Sequence, residues 1–203
     1  MFLAIDTSAG TSVAVTDGDR VLAERSTEDT MRHAEVIGEM IEATLDDAAV
    51  TPNSLDAVVA GMGPGPFTGL RVGIAAARTF AWGIARPLIP VVSHDAVALE
   101  QWSAGVRGGI LVVTDARRRE VYWSAYALGD LGTERTDGPA LCRPDELPHP
   151  ELRRVDATQI SAGQLGRIAR IRRAQGLPDE FTEPLYLRSP DVTMPGARKR
   201  VSR

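Results

Sequence analysis

The sequence predicts an α/β fold of two related halves, each a mixed sheet flanked by helices, with the second half curtailed. Three features carry that expectation. The chain opens with three short strand-like runs joined by tight turns. Between residues 32 and 103 the apolar pattern alternates between helical and buried-strand form, and after a glycine-rich joint at 105–109 a second strand–turn–strand pattern begins.

Residues 2–5 (Phe-Leu-Ala-Ile) are an apolar run closed by Asp6-Thr7-Ser8, the pattern of a buried strand ending in a polar turn. Residues 12–15 alternate, Asp17-Gly18-Asp19 supplies a turn, and alternation resumes over 20–24 through Val21 and Ala23, which predicts an antiparallel meander. From 32 to 49 the apolar positions Val36, Ile37, Met40, Ile41, Leu45 and Ala48 fall at helical spacing. Thr51-Pro52-Asn53 stops that helix. Residues 55–60 read as a buried strand running into Gly61-Met62-Gly63-Pro64-Gly65-Pro66-Phe67-Thr68-Gly69, where Thr68 is placed to cap a helix to about residue 85. A strand at 88–92 and a helix at 94–103, capped by Ser93, complete the first half. Its later strands should be parallel, because helical crossovers join them. Beyond the joint, 110–114 and 120–126 read as strands around the turn 115–119. Residues 129–158 hold turn formers and four prolines without a clear pattern, and 148–164 shows no recognisable strand. Residues 161–174 read as a helix and 183–188 as an extended segment. The expected division is an N-terminal α/β domain at 1–104 and a smaller C-terminal one at 105–203.

Composition narrows the function classes. Hydrophobic residues are 43% and charged residues 25% of 203, the usage of a globular chain. No apolar run approaches the roughly 18 residues of a membrane helix. No basic stretch precedes the apolar N-terminus, and one cysteine, Cys142, allows neither an internal disulfide nor a cysteine metal cage. A cytoplasmic protein is expected. Residues 1–150 carry 12 basic against 21 acidic residues, whereas 151–203 carry 11 against 6. An acidic body argues against nonspecific nucleic-acid binding. Arg153, Arg154, Arg167, Arg170, Arg172 and Arg173 read as a solvated face or as auxiliary phosphate contacts, and 5% aromatic content offers few stacking platforms.

The loop at 61–69 is the most unusual local feature. Glycines before a helix can cradle phosphate, but Gly69 is followed by Leu70-Arg71 rather than Lys-Ser, and Pro66 stands where a dinucleotide loop needs its last glycine. Pro64 and Pro66 also remove amide donors, so a rigid strand-to-helix turn competes with the cradle reading. Asp6-Thr7-Ser8 reads as a turn or as a holder of metal-bound phosphate. Ser93-His94-Asp95 has the residue types of a hydrolase triad, yet adjacent residues cannot line up as one, and a helix start is the better reading. His33 and His149 stand alone, so no dedicated metal site is expected.

In order along the chain, Ala4-Ile5-Asp6-Thr7-Ser8, His33-Ala34-Glu35, Gly63-Pro64-Gly65-Pro66-Phe67-Thr68-Gly69-Leu70-Arg71-Val72-Gly73, Pro90-Val91-Val92-Ser93, Asp115-Ala116-Arg117-Arg118-Arg119-Glu120-Val121-Tyr122-Trp123 and Glu183-Pro184-Leu185-Tyr186-Leu187-Arg188 resemble the TsaB (YeaZ) family of bacterial tRNA threonylcarbamoyladenosine biosynthesis. The resemblance is nearly complete over 1–127 and patchy afterwards. It implies the actin-like ATPase (ribonuclease H-like) fold and a non-catalytic subunit that pairs with TsaD and recruits TsaE. TsaD transfers a threonylcarbamoyl group to the adenosine 3′ of the anticodon. The resemblance also implies pairing through the first two helices, which places His33, Val36, Ile37, Met40 and Ile41 on one helix of the interface and Leu70, Ile74, Ala77 and Arg78 on the other. Alone, the chain should form a homodimer through the same helices, with tRNA reached only through the complex. No cofactor of its own is implied beyond weak ATP or ADP binding at the junction, for which Asp6, Thr7, Gly63, Gly65, Thr68 and Gly69 are the candidate contacts. TsaD carries a metal-binding histidine pair whose positions fall here on His94 and Ala98, and one imidazole cannot hold a catalytic metal. Pro66, where serine is common, weakens a phosphate role for the loop. The rival expectation is a small-molecule kinase or ATPase of the same superfamily, with Asp6 and Thr7 holding magnesium phosphate.

Overall fold

A computed structural model describes residues 1–29 and 32–188. The first half comprises β1 (Phe2–Asp6), β2 (Thr11–Asp17), β3 (Arg20–Thr27), α1 (His33–Asp47), β4 (Ala57–Gly61), α2 (Phe67–Gly83), β5 (Leu88–Val91) and α3 (Ser93–Ser103). The second comprises β6 (Gly108–Asp115), β7 (Val121–Gly129), β8 (Gly132–Cys142), β9 (Arg153–Asp156) and α4 (Ala162–Ala174). In the five-stranded sheet the order is β3-β2-β1-β4-β5, with β1 antiparallel to β2 and parallel to β4. The four-stranded sheet runs β8-β7-β6-β9, with β6 antiparallel to β7 and parallel to β9. β6 therefore takes the central place of β1, and among the described residues the second half repeats the first without the helix before its fourth strand and without a fifth strand.

Period-two alternation divides β1 between two cores. Leu3 and Ile5 face α1 and α2 in a cluster with Val13, Val58, Ile37, Ile41, Leu70 and Ile74. Phe2 and Ala4 face the opposite way, into a cluster shared with Val97 and Leu99 of α3, Leu165 and Ile168 of α4, and Ile110, Val112 and Tyr126 of the second sheet. α4 packs on β1, β2 and β3, and α3 packs on α4, β6, β7 and β8. Each half thus lends a helix to the other, and one apolar core crosses the joint.

Two expectations are corrected in the second half. Residues 129–158 contain an eleven-residue strand, β8, and 148–164 contains β9. β8 is an edge strand whose register slips against β7 around Gly138 and Pro139, and an edge or bulge is where a sheet tolerates proline. β9 has the sequence Arg-Arg-Val-Asp and is mostly exposed, so it offers no apolar alternation to read. Both expected caps also differ. α2 begins at Phe67 behind Pro66, whose ring presets the helical entry, and no side chain caps it. α3 begins at Ser93 itself, whose hydroxyl is committed elsewhere. At α4, by contrast, Ser161 does cap, accepting from the Gln164 amide at 3.2 Å. Residues 189–203, including Lys199, lie outside the described residues.

Candidate functional site

Three segments converge at the C-terminal ends of β1 and β4: the Asp6-Thr7-Ser8 turn, the 61–69 loop with the start of α2, and the first residues of α3. Asp6 is 1% exposed. Its Oδ1 accepts from the Ser8 amide at 2.8 Å and the Ser8 hydroxyl at 2.6 Å, and its Oδ2 accepts from the Ser93 hydroxyl at 2.5 Å. The Ser93 oxygen in turn accepts from the Gly63 amide at 3.0 Å. Burial raises the Asp6 pKa, and the serine hydrogen bonds oppose that rise. The Thr7 hydroxyl donates to the Gly69 carbonyl at 2.7 Å and accepts from the Gly73 amide at 3.1 Å. It thereby bridges two groups that a regular helix joins directly.

The glycines of the loop are explained by this packing. A Cβ on Gly61 would lie 1.8 Å from Asp6 Oδ2, and one on Gly73 would lie 2.1 Å from Thr7 Oγ1. Gly65 rides on Ser8, and Gly69 lies between the Thr7 carbonyl and the ring of His33. The loop is a close-approach surface laid over the turn.

Of the six nucleotide-contact candidates, Asp6, Thr7, Gly63, Gly65 and Gly69 are buried, the Asp6 and Thr7 side chains are internally bonded, and Thr68 is exposed. Thr68 and the backbone of Gly65 line an open cleft of about 450 Å³ with Pro66, Arg118, Tyr122 and Tyr186. Thr68 and Gly69 line an adjoining cavity of about 300 Å³ with Ser8, His33 and Val72. The β6–β7 turn overhangs both, with Arg117, Arg118 and Arg119 at φ values of 65°, 53° and 62°, a strained left-handed run for residues other than glycine. The segment before residue 188 straps the cleft shut at one end. Leu185 donates its amide to the Met62 carbonyl at 2.9 Å, the Tyr186 ring lies 4.8 Å from Phe67, and Arg188 pairs with Glu120.

The interface candidates divide differently from expectation. Ile37, Ile41, Leu70, Ile74 and Ala77 are buried in the chain's own core, because the apolar stripe of each helix is consumed by the sheet beneath it. His33 is 7% exposed, and its Nδ1 lies 2.7 Å from the Thr11 hydroxyl. Val36 and Met40 are half-buried and open to a groove beside β3, and Arg78 is exposed. Sequence reasoning missed Trp82, 86% exposed near the end of α2. The sequence signal for it was its position on the polar face of the helix, at i+4 from Arg78. Of the late arginines, Arg154 pairs with Asp156 and Arg172 with Glu180, while Arg153, Arg170 and Arg173 are exposed.

Ser93-His94-Asp95 is a polar staple between the halves. His94 is fully buried, with Nδ1 2.8 Å from the Ser124 hydroxyl and Nε2 2.9 Å from the Thr114 hydroxyl. Both ring nitrogens are therefore occupied, and burial pushes the imidazole pKa down to about 3. Asp95 accepts from the Tyr126 hydroxyl at 2.7 Å and from Arg135 at 3.1 Å, contacts that the sequence did not announce. Between an ordinary pKa of 6.5 and the folded value near 3, the unfolded chain binds a proton that the folded chain refuses. His94 therefore removes stability as pH falls through that window, on the order of 1.4 kcal/mol per pH unit at most. His94→Gln, which can still bond both hydroxyls, is expected to lose less melting temperature between pH 7 and pH 4.5 than the parent. Equal losses in paired thermal melts would refute this role.

Among the described residues no group of three potential metal ligands occurs, and no helix is long and apolar enough to cross a membrane.

Comparison with known proteins places these features among relatives. The family model described as "TsaD: tRNA N6-adenosine threonylcarbamoyltransferase" matches residues 20–171. An uncharacterized protein of Mycobacterium tuberculosis is 42% identical over 206 residues, covering 94% of this chain and 92% of that protein. The tRNA threonylcarbamoyladenosine biosynthesis protein TsaB of Escherichia coli is 28% identical, covering 81% of this chain and 68% of that protein. YeaZ from Pseudomonas aeruginosa superposes with a TM-score of 0.76 at 26% identity, covering 92% of this chain and 99% of that one.

Proposed function

Because the chain belongs to the TsaB (YeaZ) family of tRNA threonylcarbamoyladenosine biosynthesis proteins, we propose that it is the non-catalytic partner of TsaD in that modification. In this reading it holds TsaD through α1 and α2, recruits TsaE to the junction, and meets tRNA only through the complex, in the cytoplasm. Alone it forms a homodimer. The observation that carries the non-catalytic part is the saturation of the Asp6-Thr7-Ser8 turn. A kinase or ATPase on this fold would need that carboxylate and hydroxyl for magnesium phosphate, and here they are buried and bonded to Ser8, Ser93, Gly69 and Gly73. The helices supply a broad outer face for pairing.

Nucleotide, if held at the junction, meets Gly65 and Thr68 in the open cleft rather than Asp6 or Thr7. Calorimetric titration of ATP–magnesium into the purified chain is expected to show a Kd of roughly 1 mM or weaker and no hydrolysis. Micromolar binding with turnover abolished by Asp6→Ala would establish the kinase or ATPase reading instead. Co-purification with TsaD of the same organism tests the pairing directly.

A further inference from the structure

A cavity of about 680 Å³ lies between α3, α4 and β8, a volume typical of small-molecule sites. Its mouth is apolar. Leu131, Ile171 and Leu177, three of the large hydrophobic side chains that the fold leaves exposed, line it beside Trp102. Exposed apolar groups scattered singly are ordinary, whereas several at one opening mark a binding site. Its floor is polar. Tyr126 is 2% exposed, and its hydroxyl and the Arg135 guanidinium both donate to Asp95 Oδ1, at 2.7 Å and 3.1 Å. Asp95 Oδ2 is thereby left without a hydrogen-bond partner among the described residues.

The charge of the lining selects a ligand. Asp95, Glu134, Asp137 and Glu180 stand against Arg135 and Arg172, and the balance stays acidic even with Asp137 paired to His149. Both arginines are engaged. Glu180 accepts from Arg135 at 2.7 Å and from Arg172 at 3.0 Å, and Arg172 also donates to the Pro178 carbonyl. An anion would have to displace Glu180, whereas a cation meets the open oxygen of Asp95 and the exposed carboxylate of Glu134. We propose that this cavity binds a small organic cation, an ammonium group on an apolar or aromatic body. Asp95 and Glu134 hold the charge, and Trp102, Ile171 and Leu177 hold the body. The Trp102 indole is fixed by its Nε1–H bond to the Gly129 carbonyl at 2.7 Å, and an aromatic face itself attracts cations. Arg107, 5.0 Å from that ring's centroid, lies outside the lining. A carboxylate walled by apolar groups holds an ammonium more strongly than one in open water, because the effective dielectric is lower. The cavity shares no residue with α1, α2 or the 61–69 loop, so it is independent of pairing with TsaD and of any nucleotide contact.

The test is calorimetric titration of the full chain with three probes that share one ring and differ in charge: tryptamine, tryptophol and indole-3-acetate. Tryptamine is expected to bind with a Kd on the order of 0.1 mM. Tryptophol should bind at least about 10-fold more weakly, and indole-3-acetate more weakly still. Glu134→Gln should weaken tryptamine about 3-fold or more and leave tryptophol unchanged. Asp95→Asn, with its melting temperature measured alongside, should abolish the preference for tryptamine over tryptophol. In ¹H–¹⁵N spectra the indole N–H of Trp102, rather than that of Trp82 or Trp123, should shift with tryptamine. Absence of tryptamine binding would overturn the site, and equal affinity for tryptamine and tryptophol would overturn the role of charge. Tightest binding of indole-3-acetate would show that the arginines, not the carboxylates, meet the ligand. Tryptamine binding that leaves the Trp102 signal unmoved would place it elsewhere.

Discussion

Gly61→Ala is expected to lower the melting temperature by about 10 °C, corresponding to roughly 3–5 kcal/mol for a chain of this length. The added methyl would meet Asp6 Oδ2 at 1.8 Å, the Asp6 carboxyl carbon at 2.8 Å and the Ser93 hydroxyl at 2.9 Å. None of these can retreat cheaply. Gly61 ends a strand buried along its whole length, and moving Asp6 breaks the hydrogen bonds that make its burial tolerable. A double-mutant cycle sharpens the test. Asp6→Ala removes the obstructing carboxylate, so the pair should be less destabilised than the sum of the single changes. A Gly61→Ala protein that melts within about 2 °C of the parent, no more than the shift for about one kcal/mol, would show that the loop is not packed on the turn as described.

Arg135→Met should cost about 3 kcal/mol at neutral pH, because it strands a buried carboxylate. Asp95 and Arg135 are 14% and 13% exposed in their side chains, and Arg135 also reaches Glu180 at 2.7 Å. Burial already raises the Asp95 pKa, with the Arg135 charge and the Tyr126 hydroxyl opposing it. Without the guanidinium that pKa must rise further. A carboxyl whose folded pKa lies above its unfolded value contributes stability below the unfolded value and loses it as pH rises. The variant should therefore approach the parent as pH is lowered from 7 toward 5, and Asp95→Asn should restore part of the loss at pH 7. Melting curves across that range decide the matter. A deficit independent of pH would place the cost in lost packing by the arginine stem rather than in the charge.

The two changes act on different things the sequence displayed unequally. Residues 2–5 and 55–60 were legible as strands because both faces of β1 and β4 are buried, which forces continuous apolar runs. The α1 stripe was legible at helical period because one face of that helix packs on the sheet and the other is solvated. β9 was not, since a short exposed edge strand is selected by pairing to β6 and leaves little apolar trace. Caps failed where the capping residue had a stronger long-range partner, as Ser93 has in Asp6. The motif Gly61 to Gly73 was visible as unusual, but its meaning was not. Glycine spacing alone is compatible with a phosphate cradle or with backbone packing, and the difference lies in what stands opposite each missing Cβ.

The sequence by itself determined the α/β alternation, the two unequal halves and the family, because periodicity and ordered motifs are local properties of the chain. Only the tertiary structure decided which residues of those motifs face solvent. It turned Ile37, Ile41, Leu70, Ile74 and Ala77 inward and left Trp82 and Arg78 outside. It also closed Asp6 and Thr7 within a shell of hydroxyls and amides. The physical reason is that burial and hydrogen-bond satisfaction depend on groups distant in sequence: Asp6 and Ser93 are 87 residues apart and meet only when β1, β4 and α3 are assembled.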